Sequence, residues 1–452
     1  MQTIKKILIA NRGEIAIRIM RAATELKIKT VAIYSHEDRL ALHRFKADES
    51  YLVGEGLGPV KAYLSGDDII TIAKSVGADA IHPGYGFLSE DPEFAEAVMA
   101  AGMIFIGPTP RAMRDLGNKV AARNIAIKAG VAVIPATEPL PKDIKKIRKM
   151  VDEVGYPIML KASWGGGGRG MRIIRNADEL QSQVNEGRRE AASAFGKDEV
   201  YLEKMVERAR HIEVQILGDN HGNIVHLFER DCSIQRRNQK VIERAPAAFM
   251  NDKERQTLCL SAIKLVQSVN YSNAGTVEFL MDMYSCKFYF IEVNSRIQVE
   301  HTVTEQVTGI DLVKAQILIA DGEEIGSKKS GVPKQKNIKL NGYAMQCRIT
   351  TENPEDNFVP DYGRITAYRG ATSFGIRLDG GTAYSGAVIT RFYDSMLEKI
   401  TAWAPDPDQV IERMGRALRE FRIRGLATNL NFLENLINHP TFRDGTYSTR
   451  FI

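Results

Sequence analysis

Residues 276–305, TVEFLMDMYSCKFYFIEVNSRIQVEHTVTE, leave the chain few options. Aromatic and β-branched residues alternate with others in TVEFLMD and KFYFIEVN, which favours strands, and the polar stretch 284–286 between them reads as a turn. If the hairpin is centred near Ser285, Glu278 lies opposite Glu292, and Asn294, two residues further on, shares their face. Two carboxylates and an amide oxygen amid Phe279, Leu280, Phe290 and Ile291 repel strongly without a cation. Such an all-oxygen set suits Mg²⁺, which takes one or two carboxylates together with substrate phosphates. Arg296, Gln298, Glu300 and His301 follow, more polar groups than an ordinary strand exit carries. The competing reading is a surface hairpin whose acids face water, and the pattern alone does not separate the two.

A chain of 452 residues is too long for one core, so two or three domains are expected. The apolar content of 44% and charged content of 26% are those of a soluble globular protein. The 61 basic and 56 acidic residues balance too closely to imply a nucleic acid partner. Cys232, Cys259, Cys286 and Cys347 lack CxxC spacing and read as reduced thiols of a cytoplasmic compartment. A strand begins almost at Met1, leaving no room for a targeting peptide, and no apolar run reaches membrane-spanning length. The expectation is a soluble intracellular protein, or a piece of one.

The run KILIA (6–10), a turn, a helix over 14–26 and TVAIY (30–34) open a βαβ pattern that continues through 80–81 and 104–107. The first ~115 residues therefore read as a doubly wound parallel sheet. The first turn, NRGEIA, lacks GxGxxG spacing, which argues against a dinucleotide. HPGYGFLSE (82–90) follows a strand end, where α/β ligand sites gather, and Tyr85 and Glu90 offer polar contacts. A purely structural turn stands equally open there.

A Lys-bearing helix from 118 leads to a strand near 133, a proline-spaced connector and a helix over 144–154. In YPIMLKASWGGGGRGMRII, a strand ending at Lys161 meets Gly165, Gly166, Gly167 and Gly168, and a second strand starts at Met171. This is no P-loop, but bare backbone N–H groups can surround phosphate oxygens in the same way, and the loop can fold down as a flap. Lys161 and Lys119 would supply point charges. VYLEKMV reads as a strand bearing Glu203 and Lys204, followed by a hairpin turned at 218–222 in which His211 and Glu213 share a face. A lone strand histidine is usually structural. CSIQRRNQKVIERAP (232–246) crowds Gln235, Arg236, Arg237, Asn238, Gln239, Lys240 and Arg244 together, as a solvated loop or as an anion site. Helices are expected over 252–269 and 311–319, a surface linker over 321–337, and a mixed tail of strands with helices over 407–421 and 429–438. Arg348 interrupts an otherwise buried-type strand, so it needs a carboxylate or a bound anion.

Together ANRGEIA, AIHPGYGFLSE, KASWGGGGRGMR, ERDCSIQRRNQKVIERAP and FYFIEVNSRIQVEHTVTE resemble the biotin carboxylase component of biotin-dependent carboxylases, in the ATP-grasp superfamily. The likeness runs in order over essentially the whole chain. Trp164, Asn238 and TTENPEDNF (350–358) resemble the pyruvate carboxylase branch, while ITRFYDSMLEKI fits either branch. The resemblance implies an α/β and α+β multidomain chain. Its parts would be an N-terminal doubly wound sheet (1–118), an ATP-grasp domain (119–333) with a mobile glycine-rich lid at about 134–205, and a C-terminal mixed α/β domain (334–452).

The site residues carried over by that resemblance are as follows. ATP phosphates would meet Lys119, Lys161 and Gly165 to Gly168, with adenine near Glu203, Lys204 and Leu280 and ribose near His211, Gln235 and Asn238. Glu278, Glu292 and Asn294 would hold Mg²⁺, for which Mn²⁺ can substitute. Bicarbonate would meet Lys240, Arg296, Gln298 and the backbone of Val299. Glu300 would be its base, Arg348 would stabilise the biotin enolate, and Tyr85 would lie beside the ureido ring. Ser295 departs from the commoner proline, with little effect expected. The implied reaction is ATP- and bicarbonate-dependent carboxylation of biotin through carboxyphosphate, the first half of pyruvate carboxylation. No AMKM-like attachment motif is present, so biotin is expected on a separate carrier domain, with a carboxyltransferase domain as second partner, in a homo-oligomer. An isolated domain of a longer chain is favoured over a separate subunit. The alternatives are an acetyl-CoA or propionyl-CoA carboxylase component, another ATP-grasp ligase with an amine acceptor, and a non-catalytic nucleotide-binding or assembly module.

Overall fold

The computed structural model describes residues 3–164 and 171–452, so the expected glycine loop lies outside the described residues. Apolar runs such as KILI and KTVAIY suit strands covered on both faces. They form a parallel sheet of β1 (Lys6–Ile9), β2 (Lys29–Tyr34), β3 (Glu49–Leu52), β4 (Ala80–His82) and β5 (Ile104–Phe105), in the order β3-β2-β1-β4-β5. The order reverses between β1 and β4, and the crevice beyond their C-terminal ends holds the two N-terminal motifs. Asn11 Nδ2 ties them together, donating to the carbonyls of Pro83 at 2.7 Å and Tyr85 at 2.8 Å.

The helix Lys119–Lys128 follows, capped by Asn118, whose Oδ1 accepts from the N–H groups of Val120 and Ala121. The strand expected near 133 is a single bridge from Val133 to Phe290. Next comes a small antiparallel sheet of β6 (Ile158–Ala162), β7 (Arg172–Ile174) and β8 (Val200–Lys204), with β6 central. The helices Ile144–Val154 and Leu180–Phe195 cover it, and Leu160, Ile158, Ile147, Leu180 and Val184 give it a core of its own.

The largest element is an eight-stranded sheet. It contains β9 (Ala209–Gly218), β10 (Ile224–Arg236), β11 (Gln239–Ala245), β12 (Asn273–Asp282), β13 (Phe288–Asn294) and β14 (Tyr343–Thr350). Three short ladders then branch off: β15 (Glu352–Asn353) with β16 (Val359–Pro360), β17 (Gly363–Arg364) with β20 (Val388–Ile389), and β18 (Ala367–Arg369) with β22 (Arg422–Arg424). With β19 (Ile376–Gly380) and β21 (Met396–Ala404), the large sheet runs β13-β12-β9-β10-β11-β14-β21-β19. Strands β14, β21 and β19 thus extend the sheet begun by β9, beside the three short ladders.

The two-residue period of a strand explains why this sheet carries the site. Ile212, Val214 and Ile216 of β9 and Val277 and Phe279 of β12 point to one face, against Leu258, Ala262 and Leu265 of the helix Asp252–Gln267. The alternate residues, His211, Glu213, Gln215 and Glu278, point to the other face and are buried as well. Burying that many polar groups is costly unless each finds a partner.

Two sequence readings change. The polar run 232–246 is a β10–β11 hairpin, turned at Arg237 and Asn238, which have φ of 49° and 64°. The segment 321–337 is packed down rather than a free surface linker. Ile325 and Val332 are buried, Ile325 N donates to Asp219 Oδ2 at 2.7 Å, and Gln335 bonds the backbone of His226. All four cysteines are unpaired, and no described helix is long and apolar enough to cross a membrane.

Candidate active site

A cavity of about 1120 Å³ lies between the crevice of the parallel sheet, the β6–β8 unit and the buried polar face of the large sheet. Glu278 and Glu292 are directly opposed across β12 and β13, as the hairpin arithmetic predicts. The register slips by one immediately after them, leaving Ile291 as the extra residue of a bulge, and bulges of this kind re-aim side chains beside active sites. Asn294 joins them, its Nδ2 donating to Glu278 Oε1 at 2.9 Å.

Lysines and an imidazole neutralise these acids. Glu278 meets Lys240 Nζ at 2.9 Å, His211 Nε2 at 2.9 Å and Gln298 Nε2 at 2.9 Å. Burial opposes its ionisation, but Lys240 and His211 prevail and hold the carboxyl well below the usual range. His211 is pushed the other way: burial disfavours its charge, Glu278 outweighs burial, and its pKa is raised. Glu292 is more exposed and pairs with Lys119 at 2.8 Å. Two carboxylates and an amide along one cavity wall form a donor set that fits a hard divalent cation such as Mg²⁺.

At the nucleotide end expected from the sequence, Lys161 forms an ion pair with Glu203. Lys204 lines the cavity with its stem, while its ammonium donates to the carbonyls of Gly155 at 3.0 Å and Tyr156 at 2.7 Å. Leu280, Asn238 and Gln235 line the same wall, and Gln235 Nε2 lies 2.9 Å from His211 Nδ1.

Deeper in, the β10–β11 hairpin delivers Lys240 into a knot of carboxylates. Its Nζ contacts Glu213, Glu278, and Glu300 at 2.6 Å. Glu300 is 2% exposed, stands at the N-terminal end of the helix His301–Thr308, and also meets Arg348 at 3.1 Å. Burial raises its pKa, yet Lys240, Arg348 and Arg230 overcome that and keep it ionised. Arg348 donates through Nε to Glu243 Oε1 at 2.6 Å, so both expected partners, an internal salt bridge and a site acid, are present. Arg296 spans Glu90 at 2.8 Å and Asn294 Oδ1 at 2.9 Å, pinning the exit of β13 to the loop after β4. Val299 and Gln298 line the cavity between Arg296 and Glu300, and the Tyr85 hydroxyl is bonded to Glu14.

Three members of this site were not read from the sequence as functional. Arg230, completely buried, donates to Glu213 at 2.5 Å, Gln215 at 2.7 Å, Gln298 at 2.7 Å and Thr304 at 3.0 Å. Glu213 and Glu243 anchor Lys240 and Arg348 from behind. The signal that could have found Arg230 is the cross-strand arithmetic used for Glu278. A bulge between His226 and Glu229 moves the β9–β10 register by one and brings Arg230 opposite Glu213.

Comparison with known proteins gives a consistent set of matches. Residues 3–113 match the family model described as biotin carboxylase, N-terminal domain, and residues 346–452 the biotin carboxylase C-terminal domain. Residues 118–328 match the ATP binding domain of the carbamoyl-phosphate synthase L chain. The chain is 53% identical to Bacillus subtilis pyruvate carboxylase over 100% of its own length and 39% of that protein's. It is 53% identical to human mitochondrial pyruvate carboxylase over 99% of its own length and 38% of the relative's. It therefore spans about two-fifths of the curated relatives it matches. A Rhizobium etli pyruvate carboxylase variant, solved with the allosteric activator acetyl coenzyme-A, superposes with a TM-score of 0.96 at 67% identity, covering 99% of this chain and 40% of that one. The biotin carboxylase domain of Hydrogenobacter thermophilus 2-oxoglutarate carboxylase, solved with MgADP, ADP and bicarbonate, gives 0.96 at 43% identity, covering 100% and 97%.

Proposed function

The chain belongs to the biotin carboxylase family, and from that premise we propose that it carboxylates biotin with ATP and bicarbonate, as the first half-reaction of a pyruvate carboxylase. The observation that carries the reading is Glu300: buried, ionised, set between Lys240 and Arg348, in a cavity that also holds Lys119, Lys161 and Glu292.

Lys119 and Lys161 each have a single carboxylate partner in hand and would exchange it for ATP phosphates, with the glycine run 165–168 folding over them. Adenine would lie by Glu203, Lys204 and Leu280, and ribose by His211, Gln235 and Asn238. Glu278, Glu292 and Asn294 would hold Mg²⁺ or Mn²⁺, which would supply charge neutralisation for phosphoryl transfer. Bicarbonate would enter against Lys240, Arg296, Gln298 and the Val299 backbone. Its negative charge competes with Glu300 for Lys240, so the base gains strength as the substrate arrives. Glu300 then removes the proton, and the anion attacks the γ-phosphate to give carboxyphosphate and ADP. Arg348 would stabilise the negative charge developing on the ureido oxygen of biotin, with Tyr85 beside the ring.

Division of the chain at 1–118, 119–333 and 334–452 accords with this scheme, and the separate core of the β6–β8 unit supports its movement as a lid over 134–205. The carboxyl group would pass, on a biotin-carrier domain, to a carboxyltransferase domain that makes oxaloacetate from pyruvate, within a homo-oligomer. Four unpaired cysteines support a cytoplasmic setting. The test is ATP cleavage with and without bicarbonate and free biotin, plus mass detection of carboxybiotin. ATP cleavage stimulated by bicarbonate together with carboxybiotin is expected. Cleavage indifferent to both, or none, overturns the reading.

A further inference from the structure

Two motifs have no part in the reaction above: ANRGEIA, just after β1, and the DSMLEKI segment leading into β21. The fold joins them inside the molecule. Glu14 lies in the first turn of the helix Gly13–Glu25 and is 8% exposed, while Lys399 of β21 is completely buried. Lys399 Nζ lies 3.0 Å from Glu14 Oε2 and donates to the carbonyl oxygen of Val299 at 3.0 Å. The other oxygen of Glu14 accepts the Tyr85 hydroxyl. Four groups thus stand in line: phenol, carboxylate, ammonium, and the carbonyl of the peptide bond that leads into Glu300.

Packing alone gives little reason for a lysine here. Ile400 and Ala402 point to the opposite, apolar face of β21, while Lys399 lies on the face of Thr401, Arg348 and Asp379, where burying an ammonium still carries its desolvation. The cross-strand partners neutralise it only in part. Arg348 faces it from β14 with the same charge, and Asp379 faces it from β19 but is engaged by both Nε and Nη2 of Arg377. Glu14 is the carboxylate in ion-pair contact with it, and the start of that helix is tightly packed: a Cβ on Gly381 would come within 2.3 Å of Glu14 N.

We infer that Glu14 and Lys399 are positioning residues of the carboxylation reaction, holding the backbone at 298–300 in fixed register with Tyr85. The inference rests on the proposed function. Bicarbonate would be bound by the segment that Lys399 grips, and biotin would lie beside the phenol that Glu14 grips. Coupling the two through one buried ion pair keeps the two reactants at a set separation, and misplacement by about 1 Å costs on the order of 10²-fold in rate.

The test compares wild type, Glu14→Gln, Lys399→Met and the double variant for Tm, kcat, and KM toward ATP, bicarbonate and free biotin. Each single change strands one buried charge and lowers Tm. The double change removes both charges and restores Tm, yet leaves Val299 without its donor. Carboxybiotin formation by the double variant should stay down roughly 10- to 100-fold, with KM for bicarbonate raised and KM for ATP unchanged. Recovery of wild-type kinetics along with Tm, or KM for ATP moving in step with that for bicarbonate, overturns the inference. A wild-type enzyme that makes no carboxybiotin overturns the proposed function instead, so the two failures are distinguishable.

Discussion

The two ends of the cavity are built on different electrostatic plans. At the deep end, where bicarbonate is proposed to bind, Lys240 meets three carboxylates, Arg348 meets two and Arg230 holds five uncharged or acidic side chains around it, with Glu213 and Glu300 almost wholly buried. At the phosphate end, Lys119 and Lys161 each have one acidic partner, and the Glu292 side chain is 26% exposed. A multiply held buried ion keeps its geometry, because moving it strands several charges at once. A singly held ion has only one partner to exchange when an anion arrives. On the proposed reading, rigidity falls where a weak nucleophile would be aimed, and exchangeability where a triphosphate would enter and leave.

The contrast can be broken in several places, taken here from the largest effect to the smallest. Glu300→Gln removes the base but keeps its shape, so carboxybiotin formation should fall about 10²- to 10⁴-fold with the fold intact. Near-normal turnover would show that proton removal lies elsewhere. Lys240→Met leaves three acids facing one another, and urea unfolding should show a loss of about 3–5 kcal/mol. Lys119→Met strands one carboxylate rather than three, so it should cost less stability than Lys240→Met, but weaken ATP binding roughly 10- to 150-fold, a charged hydrogen bond being worth about 1.5–3 kcal/mol. Equal destabilisation by both lysine changes would erase the distinction between the two ends.

Titration sharpens the same comparison. Glu278 and Glu300 are displaced downward on folding, so their stabilisation is present above the unfolded value of ~4.3 and is lost as the pH falls toward their folded values. His211 is displaced upward, so its contribution is full below ~6.5 and is lost as the pH rises through its folded value. Tm followed from acid to alkaline pH should decline at both extremes, and His211→Asn should flatten the alkaline limb while moving the acid limb upward, because it also removes one of the groups that hold Glu278 down. The smallest effect belongs to the hairpin that presents Lys240. Arg237→Gly relieves a left-handed backbone but loosens the unfolded chain, so stability should move by less than about 1 kcal/mol.

What the sequence discloses follows the same divide. The opposed pair Glu278 and Glu292 follows from a turn centred on Ser285, but the turn that forms sets a register one residue away, and the bulge at Ile291 restores the pairing. Lys161 is legible because the glycine run that follows it advertises phosphate. The buried knot is only partly legible. Gln235 to Lys240 stands open between a solvated loop and an anion site, because a strand rich in Arg, Gln and Lys looks solvated when the partners of Lys240, Glu278 and Glu300, lie far along the chain. Strand β21 escapes for a related reason: Glu398 and Lys399 are charged yet buried, satisfied by Tyr368 and by Glu14 respectively. Charge that is neutralised at long range does not announce burial locally. Bulges at Ile291 and after His226 add a further obstacle, since each moves every later cross-strand pair by one residue.

The position of β11 between β10 and β14 has a consequence for how the polypeptide is made. On the ribosome β11 emerges long before β14, because residues 246–342 must be synthesised first, and its outer rim of peptide groups meanwhile stays open. Such a rim is a template for pairing with another nascent chain. Lys240, Glu243 and Arg244 on this strand place charge along that rim throughout the interval, and charged edges resist such pairing. The side chains proposed to serve bicarbonate would thus also disfavour edge pairing in the half-made protein.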